Sequence, residues 1–156
     1  MQTGLPTSGS RSVDASDSRH AQAWFLLVAL LAIHVCDEAA TGFLEFYNPL
    51  VLSVRAREHW FPMPTFTFGW WLAGLILLVI ALTLLGRVLR SGSVGTRVVS
   101  SVFAGIMLLN GIGHLGGSWY FHRWLPGTTS APLLVGASVL LGWRTWSRAT
   151  VSVTAS

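Results

Sequence analysis

Long apolar runs broken by a few polar positions set the pattern of this chain. Residues 1–20, MQTGLPTSGSRSVDASDSRH, hold almost nothing to bury, which predicts a disordered tail. An apolar run opens at Ala21 and predicts a first membrane span to about Tyr47, stopped by Asn48-Pro49 because a residue before proline disfavours helix. The first half of this span, AWFLLVALLAI, is ordinary membrane helix, whereas the second half, HVCDEAATGFLEF, is polar. Asp37 and Glu38 stand where a small neutral cleavage site would be, so the expected span is retained rather than removed as a signal peptide. A second span is predicted over Phe61 to Leu85, without one ionisable group and long enough to cross a core of about 30 Å. A third covers Val98 to Ser118, and a short fourth covers Pro132 to Trp143.

The expected architecture is therefore all-α, an integral membrane four-helix transmembrane bundle. It has a tail over 1–20, a four-span domain over 21–147 and a short C-terminal tail over 148–156. Composition agrees: hydrophobic types make up 52% of 156 residues and charged types 10%. Mean hydropathy is +0.59. Soluble domains carry about 25% charged residues. The net charge of +4 reflects scarce acids, so no nucleic-acid partner is expected. All ten basic residues are arginine, which with abundant Ala, Gly, Val and Leu is the composition of a GC-rich bacterial genome. Without lysine there is neither a Schiff base nor a Walker A lysine. The one cysteine, Cys36, has no partner for an intramolecular disulfide.

Arginine placement predicts orientation. Arg11, Arg19, Arg87, Arg90, Arg97, Arg144 and Arg148 fall on one side, and Arg55, Arg57 and Arg123 on the other. The excess puts both termini in the cytoplasm of a plasma-membrane protein. Trp60, Trp119, Trp124, Trp143 and Trp146 lie near span ends as an interfacial belt, with Trp70 and Trp71 deeper.

Chemistry concentrates on the first span. At about 100° per residue, His34, Asp37, Glu38, Thr41 and Glu45 share a stripe about 100° wide, with Cys36 on the other side. A central acid costs roughly 2.5–3.5 kcal/mol on insertion scales. Several on one helix need a metal ion, a proton or a buried partner. The third span offers Asn110 and His114, four apart and at similar depth, and Gly113 and Gly117 in GxxxG spacing predict close approach of another helix. Spans one and three are thus expected to touch, with Glu38 and His114 within metal-bridging reach.

His34, Asp37, Glu38 and His114 are the expected ligands of a divalent metal, Zn, Fe or Mn. Glu38, Glu45 and Asn110 are the expected catalytic groups: Asn110 orienting a ligand, Glu45 exchanging a proton. His59 and His122 read as interfacial loop residues. The bland alternative for the stripe is a hydrogen-bonded knot that fixes helix packing.

The pieces His34-Val-Cys-Asp37-Glu38, Asn110-Gly-Ile-Gly-His114 and Pro126-Gly127 resemble the small membrane proteins named for an HXXEE motif. The resemblance runs from about Leu27 to Arg144. It implies a compact helical membrane protein with signature polar residues at His34, Glu38, Asn110 and His114, and it implies no reaction. Asp37 stands where the motif has its first Glu.

Three functions fit these residues. The first is a membrane-embedded, metal-dependent enzyme, a hydrolase or oxidoreductase, acting on a lipophilic substrate. The second is a metal-free acid–base isomerase or cyclase of an isoprenoid-like substrate, with Glu38 as proton donor and Trp70 and Trp71 facing a cation. The third is a non-enzymatic small transport or accessory membrane protein. The partners expected are membrane lipid and a lipophilic small molecule.

Overall fold

The computed structural model describes residues 8–89 and 93–153, with side chains over 18–89 and 93–147. Among them every regular element is helical: α1 (Ser8–Ala40), α2 (Phe43–Arg57), α3 (Phe68–Val88), α4 (Val94–Tyr120) and α5 (Ala131–Val153). Three stretches, Ser18–Ala40, Phe68–Val88 and Val94–Tyr120, are long and apolar enough to cross a membrane. These properties are those of a membrane protein. The short fourth span expected at Pro132 to Trp143 is part of the longer α5, which is not among those three.

Several boundaries differ from the sequence pattern, each for a local reason. The first span does not continue to Tyr47. Gly42 takes left-handed φ of 76°, a conformation that ends a helix cheaply only at glycine. Thr41 closes the last turn, its N–H and hydroxyl both donating to the Asp37 carbonyl at 2.9 and 2.6 Å. Pro49 does not stop α2, since the bond it removes would reach the carbonyl of Glu45, on an exposed turn. α3 starts at Phe68 rather than Phe61, because Pro62 and Pro64 hold the preceding segment extended. That segment is tied to α2 by Tyr47 Oη donating to Pro64 O (2.9 Å) and by Asn48, which donates to Phe66 O (2.8 Å) and accepts from Phe66 N (3.1 Å). At the other end α1 reaches back past Ala21, and His20, assigned to the tail, is buried against Ser100 (3.1 Å). Residues 1–7 of the expected tail lie outside the described residues, as do Arg90 and the last three residues of the C-terminal tail.

α5 is the central strut. It packs on both α1 and α4, and α3 lies against α1. The first and third spans touch as expected, along a thin contact, because α5 packs on both of them. Its buried Leu134, Ala137 and Leu141 join Trp24, Leu27, Leu31, Phe103 and Met107 in the core. Close approach falls at Gly111, not at Gly113 or Gly117. A Cβ on Gly111 would stand 2.7 Å from Val135 and 3.1 Å from the Ala131 carbonyl. A Cβ on Gly113 would meet nothing within 4 Å, and one on Gly117 meets only Leu125, at 3.0 Å. Trp24 rests on Gly86 and donates to the Leu82 carbonyl (3.0 Å). The outer faces are apolar, with Ile76, Leu77, Ile80, Leu84, Val102 and Leu109 exposed.

Candidate metal centre

The C-terminal ends of α1 and α4 and the N-terminal end of α5 converge on one polar node. α1 supplies His34 and Glu38, one turn apart on the face toward α5, with exposures of 0% and 6%. α4 supplies His114. Its Nε2 lies 3.0 Å from Glu38 Oε1, and His34 Nε2 lies 3.6 Å from the same oxygen. The two imidazoles meet edge to face, with centroids 4.8 Å apart. Ligating atoms of His34, Glu38 and His114 all fall within 4.8 Å of one another. Donors at that spacing can close on one ion, given ligand bonds of about 2.0–2.2 Å.

The outward-facing atoms of the two rings determine what the inward ones can do. Ser130 Oγ donates to Asp37 Oδ2 at 2.8 Å and lies 2.8 Å from His34 Nδ1. With its proton on Asp37, this hydroxyl accepts from His34 Nδ1–H. Ser130 N also donates to Asp37 Oδ2, at 3.0 Å. Asp37 therefore caps the start of α5, where the helix dipole favours a negative charge. His114 Nδ1 donates to the Pro126 carbonyl at 2.7 Å. These partners assign both rings the Nδ1–H tautomer when neutral, so both Nε2 lone pairs point inward. His34 Nε2 is buried with no hydrogen-bond partner. Two lone pairs and a carboxylate oxygen then face one another without a donor among them, an arrangement that calls for a cation or a proton.

The backbone is shaped to allow this. Gly127 has φ of 81°, and a Cβ there would stand 2.8 Å from the His114 ring and 3.0 Å from Glu38 Cγ. The loop before α5 can cross the node only at glycine. Ser118 Oγ, which accepts from Leu125 N (3.0 Å) and bonds Thr128 Oγ1, holds this loop to α4.

Of the expected ligands, His34, Glu38 and His114 come together. Asp37 does not join them, because its carboxylate is spent on Ser130. Asn110 is half-buried on α4 and has no side-chain hydrogen bond among the described residues. Glu45 belongs to α2 instead of the α1 stripe, yet it faces the same opening: a cleft of about 420 Å³ lined by Glu38, Gly42, Phe43, Glu45, Phe66 and Trp71 among others. Trp71 is buried while Trp70 points outward, and Cys36 is exposed away from the node. Ser130 is the position at the node that the sequence did not reveal. Gly127 falls in the Pro126-Gly127 piece of the resemblance, and Pro-Gly marks a turn that needs positive φ. A serine before a helix looks like any N-cap.

No curated protein and no solved structure matches the chain. A family described as a protein of unknown function with HXXEE motif matches residues 24–141, which includes all three converging side chains and the Gly127 loop. With well over half of its length matched, the chain belongs to the HXXEE family.

Proposed function

We propose that this protein is a membrane-embedded, metal-dependent enzyme acting on a lipophilic substrate. One observation carries the reading: two inward Nε2 lone pairs and a buried carboxylate oxygen converge with no donor of their own. A His₂Glu set is the donor chemistry of catalytic Zn and, with open positions, of non-haem Fe or Mn. Bound there, a divalent ion would act as a Lewis acid or as a redox centre. His34, Glu38 and His114 hold the ion. Asp37 and Ser130 fix the orientation of the His34 ring, and the Pro126 carbonyl fixes that of His114. Three protein ligands leave a position for substrate, and the cleft bordering Glu38 gives access to it. Glu45, on that cleft, is a second carboxylate that can exchange a proton with bound substrate. Asn110 lies one turn of α4 before His114, from which it orients a ligand.

The reading extends to the fold. α5 completes a four-helix transmembrane bundle: its inner face is buried, and its outer face presents the apolar Leu133, Val139 and Trp143. An even number of spans, with seven arginines against three, places both termini in the cytoplasm of a plasma-membrane protein. Reporter fusions at residues 57 and 92 should report opposite sides; the same side for both excludes this topology.

The test is elemental analysis of detergent-purified full-length protein carrying a tag that does not bind metal. About one divalent ion per chain is expected, as for a single three-ligand site. Glu38→Ala and His114→Ala should each remove it, and the double variant should be little worse, because the ligands act as one unit. Wild type without metal, holding instead a proton between His114 and Glu38, would bring forward the metal-free acid–base isomerase.

A further inference from the structure

The cleft beside the metal centre has a composition of its own. Phe43, Phe66, Phe68 and Trp71 line it together with Glu38 and Glu45, and no arginine or histidine does. Phe43 stacks on Trp71 at 26° and 5.8 Å, and Phe68 tilts against the same indole at 5.9 Å. These rings form one continuous wall. Glu45 stands in the first turn of α2, and its carboxylate makes neither an ion pair nor a hydrogen bond among the described residues. Arginines that could have neutralised it are engaged elsewhere. Arg55 donates to the Met63 carbonyl, and Arg123 lies over the Phe46 ring at 5.1 Å.

A carboxylate without a counter-ion beside several aromatic rings selects charge by sign. Ring faces carry negative quadrupole potential and attract a cation within about 6 Å of the centroid. An anionic head group meets Glu45 and finds no cationic side chain on the walls. A neutral head group gains nothing from Glu45 that water did not give. The rim also has a direction: Phe68 is exposed and begins α3, whose outer face is almost wholly uncovered and apolar. An alkyl tail leaving the cleft there runs along α3.

We propose that the cleft binds the ammonium head of a lipophilic amine, with Glu45 as its counter-ion, the aromatic wall around its substituents and its tail against α3. This rests on the metal-centre reading in one respect: it makes the amine the substrate of that centre, through the shared cleft at Glu38. It adds the substrate's chemical class.

The experiment is isothermal titration of the full-length protein in neutral maltoside micelles with three probes of equal chain length: hexyltrimethylammonium, hexan-1-ol and hexyl sulfate. Saturable binding is expected for the ammonium alone. Glu45→Gln should weaken it about tenfold, in line with loss of the cation's charged partner. Phe43→Leu should weaken it in the same direction, which guards against a misfolded Glu45 variant. Equal binding of the alcohol or the sulfate, or an ammonium affinity unchanged in both variants, overturns the proposal. Metal content measured on the same samples separates the two readings. Metal present without ammonium preference removes the amine and keeps the centre. Glu45-dependent ammonium binding by protein that holds no metal keeps the amine site and removes the metal.

Discussion

α1 buries two histidines, one near each end of the bundle, and each meets a serine hydroxyl from another helix or its cap. His20 lies 3.1 Å from Ser100 of α4, and His34 lies 2.8 Å from Ser130 at the start of α5. Both rings are less than 5% exposed. The difference is what stands behind and in front of each pair. Behind Ser130 is the Asp37 carboxylate, and in front of His34 are Glu38 and His114. His20 belongs to no such group of three ligating side chains among the described residues. Burial and a hydroxyl partner therefore do not make a centre. Convergence of inward acceptors with outward donors does.

The largest effect should come from testing that contrast at its ligands. His34→Ala should empty the centre of metal as completely as His114→Ala, while His20→Ala should leave metal content unchanged. Metal loss from His20→Ala would mean that the two ends are not independent. Next in size are the serines. Ser130→Ala should lower metal affinity by about 10–100-fold, as loss of an orienting outer partner does. A chelator competition assay reads it. Ser100→Ala should leave that affinity alone and cost about 1 kcal/mol of stability, the net worth of one buried hydrogen bond. Equal effects of the two serines on metal affinity would dissolve the comparison. Comparable in free energy, and without effect on the ligands, is a contrast within α4 between two neighbouring glycines. Gly111→Ala should destabilise by about 1–3 kcal/mol through overpacking against Val135 and the α5 backbone. Gly113→Ala should fall within about 0.5 kcal/mol of wild type in thermal unfolding.

Much of the candidate centre was legible in the residues because its three side chains obey helical spacing. His34 and Glu38 are four apart, and His114 has the depth to meet them once two helices run the same way. Glu38 and His114 meet at 3.0 Å, inside the range expected for a shared ion. Asp37 was placed among the ligands because angle alone cannot tell which neighbour a carboxylate faces. Its partner is a serine 93 positions away, and nothing local marks that pairing. The fold was legible as helices and less so as boundaries. Gly42 sits in a run whose polar stripe continues smoothly in projection, so its left-handed turn left no mark in the periodicity. Pro62 and Pro64 were a readable signal against an early start of the second span. The GxxxG pair of Gly113 and Gly117 marks small residues on α4, but close packing on α5 falls at Gly111, because it is set by where Ala131 and Val135 pass.

The reach of the Ser130 bond across the sequence has a consequence for how the protein is made. His34 leaves the ribosome 96 residues ahead of the serine that fixes its ring. His114 leaves before the loop that carries its Pro126 partner. Until α5 is in place, α1 exposes a histidine and two acids with no structure to orient them. The node can therefore assemble only after Ser130 has been made. A chain stopped before Ser130 would hold His34, Glu38 and His114 and lack the hydroxyl that orients the first of them, so the start of α5 separates a chain that carries these side chains from one that has them aligned.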